Sequence, residues 1–258
     1  MYPQKKKPAT VRAFTLLECF VTLRRINAYN PMPQNIKVAV DAVVFGYEQK
    51  KLSVLLIKRG IAPYLGSWAL PGGLVHDEES LENAVRRELM EETNVTIDYL
   101  EQLYTFGTPN RDPRNRVISV SYFALVSPQN FKIDASTDAA DVQWFPMDAL
   151  PELAFDHKKI IDAALDRLRN KINYQPIGFE LLNSEFPFSD LEQLYQTILN
   201  KSLDRRNFRK KIMSFGILTE TDKMHQPTSG RPAKLYQFNA EKYSELLNEG
   251  FHFEIKFA

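Results

Sequence analysis

Between Ser80 and Glu92 the apolar residues Leu81, Ala84, Val85 and Leu89 recur at helical spacing, so one face of this segment must pack on a core. Glu88, Glu91 and Glu92 stand at i, i+3 and i+4 on a different face, near the last turn. Carboxylates so placed repel one another, and each also opposes the helix macrodipole by about 0.3 to 1 kcal/mol. The pattern calls for a counter-charge. A hard divalent cation suits it, because carboxylate oxygens hold Mg2+ while leaving positions for water and substrate phosphates. A solvated acidic helix face is the plain alternative, and the three glutamates alone do not decide between them.

The flanks supply the sheet that such a helix needs. The runs KVAVDAVVFGY and KLSVLLIKR are β-rich and are separated by Glu48, Gln49 and Lys50, which predicts a hairpin. WALPGG, from Trp68 to Gly73, reads as a turn leading into the helix. Further strands are expected in YLEQLYTFG, RVISVSYFALV and ADVQWFPMDAL.

Counted along residues 73 to 95, Gly73, Glu79, Arg87-Glu88 and Glu91-Glu92 resemble the Nudix box, a long and demanding pattern. Asn94 stands where that family usually has glycine, and asparagine is the other residue that tolerates the left-handed conformation of a helix C-cap. The resemblance implies an α/β fold, the Nudix α/β/α sandwich, in a domain spanning residues 36–172. It also implies a pyrophosphohydrolase site. Glu88 and Glu92 would be the main ligands of Mg2+ (or Mn2+), Glu91 a further ligand or a support for metal-bound water, and Gly72 a source of a backbone carbonyl. Glu79 and Arg87 resemble the ion pair that fixes the loop against the helix. Asp134, Asp138 and Asp141 are candidates for a general base, with a solvated loop as the alternative.

The run TFGTPNRDPRNRVISVSY places Arg111, Arg114 and Arg116 just after a strand, where guanidinium forks can meet phosphates. This segment is similar to Nudix proteins that handle ADP-ribose. Arg59 is a candidate phosphate contact and Phe106 a candidate adenine stack, each with an ordinary surface or core alternative.

A Nudix domain does not need residues 180–258, and residues 173–258 are expected to form a connector and a winged-helix DNA-binding domain. HKKIIDAALDRLRNKI, residues 157 to 172, carries Ile160, Ile161, Ala164, Leu165 and Leu168 at the spacing of a helix lying on the first domain. An aromatic-rich connector follows, and DLEQLYQTILN then places Leu191, Leu194, Tyr195 and Ile198 on one helical face. After a brief turn comes RRNFRKKIMSFGIL, with Phe208, Ile212 and Phe215 facing inward and the basic residues outward. Helix, turn and basic helix in that order predict a helix-turn-helix, and the runs FGILTET and AKLYQF, joined by a polar loop, make it winged. Residues 201 to 234 hold nine basic side chains against three acidic ones, in a chain whose net charge is +1. That local excess is the footprint of phosphate binding. Arg205, Arg206, Asn207, Arg209, Lys210, Lys211, Arg231 and Lys234 are the candidate DNA contacts; a protein-binding winged helix with a solvated basic face is the alternative.

LDRRNFRKKI and GRPAKLY behind a Nudix domain are similar to the NrtR family of Nudix-related transcriptional regulators of NAD metabolism. That likeness implies a homodimer whose winged helices bind a double-stranded operator and whose Nudix domain senses ADP-ribose or a related nucleotide. Many members have eroded boxes, whereas every acidic position is present here, so residual hydrolysis, or an ADP-ribose pyrophosphatase with an accessory winged helix, is a second expectation. Regulators of the same plan that respond to a pentose are a third.

One cysteine, Cys19, excludes an intrachain disulfide and a cysteine-based zinc cluster, and points to a reducing cytoplasm. Residues 1–35 form an extension in which Lys5 to Lys7 and AFTLLECFVTL mimic a signal peptide. Glu18 interrupts that run, which is too short to span a membrane. Met32 is an alternative start, and an arm that assists dimerisation is the competing reading.

Overall fold

The computed structural model describes residues 35–134, 139–226, 231–250 and 253. The readings made of residues 1–34, of Asp138 and of the tip of the wing lie outside these residues.

Strands β1 (Ile36–Glu48) and β2 (Lys51–Arg59) form the expected hairpin. Gln49 and Lys50 occupy left-handed backbone at φ 49° and 63°, so a two-residue turn pairs Glu48 with Lys51. The strands β3 (Trp68–Ala69), β4 (Gly72–Leu74), β5 (Tyr99–Phe106), β6 (Arg116–Val126) and β7 (Ala139–Pro146) complete a mixed seven-stranded sheet. Its main order is β3-β2-β1-β6-β5, with β4 on β1 and β7 on β2. WALPGG is therefore not a simple turn. Trp68–Ala69 pairs with the end of β2, and Gly72–Leu74 with the first half of β1. Strands of two and three residues carry no periodicity, and only tertiary pairing reveals them.

Period-2 alternation sends successive strand residues to opposite faces. Val40, Ala42, Val44, Leu55, Ile57 and Tyr122 join Ala84, Val85 and Leu89 of helix α1 (Leu81–Thr93) in one core. Val43, Phe45, Val54, Leu56, Phe123 and Leu125 join Ile160, Ile161, Ala164 and Leu168 of helix α2 (His157–Tyr174) in the other. Two helices thus sandwich the sheet. Ser80 caps α1 by accepting the Asn83 N–H, and Asn94 ends it at φ 56°, its N–H donating to the Met90 carbonyl.

The C-terminal part contains β8 (Glu185–Pro187), α3 (Phe188–Leu199), α4 (Arg205–Ser214), β9 (Leu218–His225), β10 (Ala233–Phe238) and α5 (Ala240–Asn248). Strands β8-β10-β9 form its sheet, the winged helix-turn-helix arrangement. Leu191, Leu194, Tyr195 and Ile198 are fully buried as the helical spacing predicts.

Helix α2 does more than cover the first domain. Its buried stripe belongs to a single cluster that continues through connector residues Ile177 and Phe179 into α3 and α4. Arg169 Nε donates to the Ile198 carbonyl at 2.9 Å, tying α2 to α3. Among the described residues no helix is long and apolar enough to cross a membrane.

A shared core predicts one cooperative unfolding transition in urea. Trp68 and Trp144 fluorescence, which reports the large sheet, should coincide with far-UV circular dichroism, which also senses α3 to α5. Leu168→Ala should lower stability by about 2 to 5 kcal/mol and keep the transitions coincident. Two separated transitions would refute the shared core.

Candidate ligand cleft and nucleic-acid face

The close approach of β4 to β1 and α1 dictates the two glycines. A Cβ on Gly72, at φ 152°, would lie 2.1 Å from the Val40 carbonyl oxygen, and one on Gly73 would lie 2.2 Å from Glu88 Oε1. Freed of side chains, this strand lets the Gly72 N–H donate to Glu92 Oε2 at 2.9 Å. The structure thus places Gly72 against the chain's own carboxylate through its N–H.

Arg87 is the centre of the box. Its Nε and Nη2 grip both oxygens of Glu79 at 3.0 and 2.7 Å, while Nη1 donates to Glu88 at 2.8 Å and Glu91 at 3.1 Å. Nη2 also meets the Leu74 carbonyl at 3.2 Å. The Arg87 guanidinium, aided by the His76 N–H, pulls the Glu79 carboxyl down to about 2. Much of the counter-charge that the acidic helix face requires therefore comes from within the chain.

Glu88 and Glu92 line one cleft of about 340 Å³ together with Lys37, Arg59, His76 and Arg114. Burial pushes the Glu88 carboxyl upward, against the pull of Arg87. Two hard carboxylate donors in a recess, one held above its ordinary range by desolvation, fit a divalent cation that restores its charge. Among the described residues no group of three or more acidic, histidine or cysteine side chains is arranged to hold a metal ion by itself. Glu91 is half-exposed and outside this cleft. Water and ligand phosphate would complete the coordination, which is the manner in which Mg2+ is commonly held.

The arginines separate by burial. Arg59 and Arg114 line the cleft, with Arg114 46% exposed and forked on Asp112. Arg111, whose side chain is 5% exposed, grips Asp156 through three contacts of 2.6 to 3.1 Å and meets Asp41 at 3.2 Å. Its guanidinium is committed to a buried network, which lines a smaller adjoining recess of about 80 Å³. Arg116 opens β6 opposite Ile36, exposed and outside the cleft. Phe106 packs on Tyr104 and on the α2 side of the sheet, so its ring is turned away from α1. Asp134 and Asp141 are exposed and do not line the cleft; Asp141 Oδ1 accepts the Val142 N–H.

Sequence reasoning missed Asp41, Asp156, His157 and Phe155. His157 Nδ1 accepts the Leu70 N–H at 2.9 Å, and its Nε2 lies 3.5 Å from Asp41 Oδ1. Burial pushes its pKa down, so the ring is neutral and carries its proton on Nε2. Ser119 donates to Asp41 as well. A charge in the middle of the apolar run KVAVDAVVF was the available signal for this network. Phe155 lines the same recess as Arg111 and His157.

On α4, Asp204 is the N-cap, accepting the Asn207 N–H, and the Asn207 amide also turns back on it. Arg206 and Lys210 are exposed, as is Arg205, which lies 3.6 Å from Glu192. Arg209 lies over Phe188 at 4.5 Å and donates to Tyr236 Oη at 2.9 Å, so it fastens α4 to β10. Lys211 lies over Phe215, Lys234 pairs with Glu220, and Arg231 is exposed beside the wing.

A sheet between two helices, a cleft bordered by box glutamates, and a winged helix-turn-helix on the same core define a Nudix protein of the DNA-reading class. Residues 35–164 match the NUDIX domain, and residues 178–238 match the NrtR DNA-binding winged helix domain. The chain belongs to the NrtR-type branch of the Nudix family. It is 34% identical over 212 residues to an ADPR-responsive transcriptional repressor of Acinetobacter baylyi, covering 80% of this chain and 83% of that one. Over 124 residues it is 42% identical to an ADP-ribose pyrophosphatase of Methanocaldococcus jannaschii, covering 48% and 70%. The structure of Shewanella oneidensis NrtR complexed with a 27mer DNA superposes with a TM-score of 0.75 at 34% identity, over 85% of this chain and 99% of that one. Nudix hydrolases as a group use divalent cations.

The Glu79–Arg87 pair gives a pH signature. Because Glu79 falls from 4.5 to about 2 on folding, the stability it contributes is fully present above about 4.5 and is lost as pH falls toward 2. The difference in melting temperature between wild type and Glu79→Gln should narrow across that window. A constant difference would show that the pair's charge is immaterial.

Proposed function

We propose that this chain is an ADP-ribose-responsive transcriptional repressor. Its winged helix, in a homodimer, holds operator DNA in the cytoplasm, and its Nudix cleft binds the effector. The observation that carries the reading is the continuous core that joins the cleft-bearing sheet to the basic helix through α2. A sensor and a DNA reader packed on one helix are thermodynamically linked whenever the ligand prefers one arrangement of that core.

The roles follow from placement. Glu88 and Glu92, which line the cleft, would hold Mg2+ or Mn2+, and the ion would supply charge neutralisation for a diphosphate. Arg59 and Arg114 border that position, and Arg114 exchanges its fork on Asp112 for phosphate oxygens. Arg111 acts from behind by fixing Asp156, the residue that precedes α2. On α4, exposed Arg205, Arg206 and Lys210 meet DNA, with Arg231 and Lys234 on the wing. Arg209 positions α4 through Tyr236 and Phe188. The Acinetobacter relative, an ADPR-responsive transcriptional repressor, and the Shewanella relative, complexed with DNA, support both ligands.

The intact acidic box and the Methanocaldococcus relative favour a second reading, an ADP-ribose pyrophosphatase with an accessory winged helix.

Fluorescence anisotropy on DNA from upstream of the protein's own gene cluster, with ADP-ribose titrated with and without Mg2+, separates the two. The repressor binds tightly and is released by ADP-ribose. Arg206→Ala/Lys210→Ala should weaken binding and reduce the slope of log affinity against log salt by about 0.9 for each phosphate contact removed, while ADP-ribose binding is unchanged. Absence of salt-dependent DNA affinity, together with turnover that Glu92→Gln abolishes, would establish the enzyme instead.

A further inference from the structure

A second recess, of about 300 Å³, lies at the opposite end of β6 from the ligand cleft. Val117 of that strand lines the cleft and Leu125 lines the recess, so the two are separated by roughly 26 Å at ordinary strand rise. Its walls come from both halves of the chain: Leu125 and Val126 from the large sheet, Phe179 and Glu180 from the buried connector, Phe186 from β8 and Phe238 from β10. A molecule held there touches the large sheet and the winged helix together.

The chemistry of the lining is one-sided. Phe179 stacks on Phe238 at 4.0 Å, and Phe186 lies 6.3 Å from Phe179 between ring centroids. Two carboxylates, Glu180 and Asp98, accompany the rings, and among the described residues no lysine, arginine or histidine lines the recess. Asp98 is exposed at the mouth beside Thr96, Asn183 and Gln237, whose side chains add hydrogen-bonding groups. Glu180 is the more buried of the two acids.

Glu180 lacks the partners that its neighbours have. Burial pushes its carboxyl upward; the backbone N–H groups of Glu180 and Gly178 pull only partly against this, and repulsion from Asp98 adds to it. Its Oε2 is buried and meets no hydrogen-bond donor among the described residues. A carboxylate oxygen so placed costs free energy until a donor or a positive charge reaches it. Glu101 on β5 shows the contrast. Also partly buried, it is held by Lys171, Arg167 and Tyr99, which together draw its carboxyl below the ordinary range against the effect of burial.

We propose that this recess is a second effector site, for a small organic cation whose apolar body lies against Phe179, Phe186 and Phe238 and whose ammonium or guanidinium group donates to Glu180. A carboxylate set among aromatic rings selects positive charge carried on an apolar stem, because ring faces attract cations and a desolvated carboxylate binds a charged donor more strongly than a neutral one. A bare divalent ion is not matched: it needs more oxygen ligands than two carboxylates, and much of this lining is apolar. Since β6 and β10 both border the site, occupancy is linked to DNA binding whenever the cation prefers one placement of the winged helix. The effector role rests on the DNA-reading function proposed above; the binding of the cation does not.

The test uses the full chain and benzylamine, with benzyl alcohol as its uncharged counterpart. In saturation-transfer NMR titrations the wild type should bind benzylamine about 10-fold or more tightly than benzyl alcohol. Glu180→Gln should weaken benzylamine by a similar factor and leave benzyl alcohol unchanged, whereas Glu88→Gln, in the other cleft, should leave benzylamine binding as it is. No binding, equal affinity for amine and alcohol, no loss in Glu180→Gln, or a loss in Glu88→Gln overturns the site. If Glu180→Gln fails to fold, Asp98→Asn at the exposed mouth must show a selective loss for the amine in smaller degree, and its absence is equally decisive. At matched ionic strength, saturating benzylamine should shift DNA affinity in fluorescence anisotropy by about 5-fold or more in the wild type and not in Glu180→Gln. Binding without that shift overturns the effector role. A wild-type chain that binds no DNA sinks the repressor reading instead, and the benzylamine titrations alone then decide the site.

Discussion

Helix α2 is buried by both halves of the protein, and the remaining architecture depends on that double burial. Ile160, Ile161 and Ala164 belong with the sheet residues Val43, Phe45 and Phe123, and the same cluster runs on through Leu168 and Ile172 to Leu191, Leu194 and Phe208. Removing so many apolar side chains from water stabilises the assembly by roughly 1.5 to 3 kcal/mol for each large aliphatic residue before conformational entropy is counted. The connector is part of the same core. Ile177, Phe179, Leu181, Leu182 and Phe186 are buried, and Phe179 stacks on Phe238 at 4.0 Å. A linker buried in this way is no free tether, so a change at one end of α2 must be accommodated by the other.

Electrostatics at the opposite helix follows a different logic. The acidic face of α1 would be self-repelling if left to solvent, and Arg87 resolves most of that conflict by touching Glu79, Glu88 and Glu91 together. What remains for a cation is the side on which Glu88 and Glu92 face the cleft. The same sorting applies to the arginines. A guanidinium buried between Asp41 and Asp156 organises the corner, whereas one bordering the cleft and partly exposed is placed to exchange partners with a ligand.

Periodicity and spacing carried the legible part. The alternating runs of β1, β2 and β6, the stripes of α1 to α4, the box and the Asn94 cap were all readable because each is a local pattern with a local cause. Strands β3, β4 and β8 were not, since their two or three residues become strands only through partners remote in sequence. Spacing also says nothing about backbone handedness at a single residue, so the left-handed positions of Phe155 and Tyr64 could not be read from the sequence. Arg209 shows a related blindness. It stays exposed, as the helical pattern predicts, but it also rests on the ring of Phe188 and the hydroxyl of Tyr236, contacts the pattern does not reveal.

The shared core also constrains how a signal can leave the cleft. In a homodimer with two winged helices, half-sites must be presented about 34 Å apart or at a multiple of that distance. A flexible connector would let each reader find its half-site regardless of the sensor, and ligand would then change little. With the connector buried, the reader moves with α2. If the chain pairs as proposed, a displacement at Asp156 would change the separation or angle of the two recognition helices, and affinity would fall without any base contact being altered. Coupling of about 1 to 3 kcal/mol is typical of such linkage. Arg111, which lines the recess beside the cleft, grips Asp156 at the start of the shared helix, so the groove and that helix meet at one ion pair.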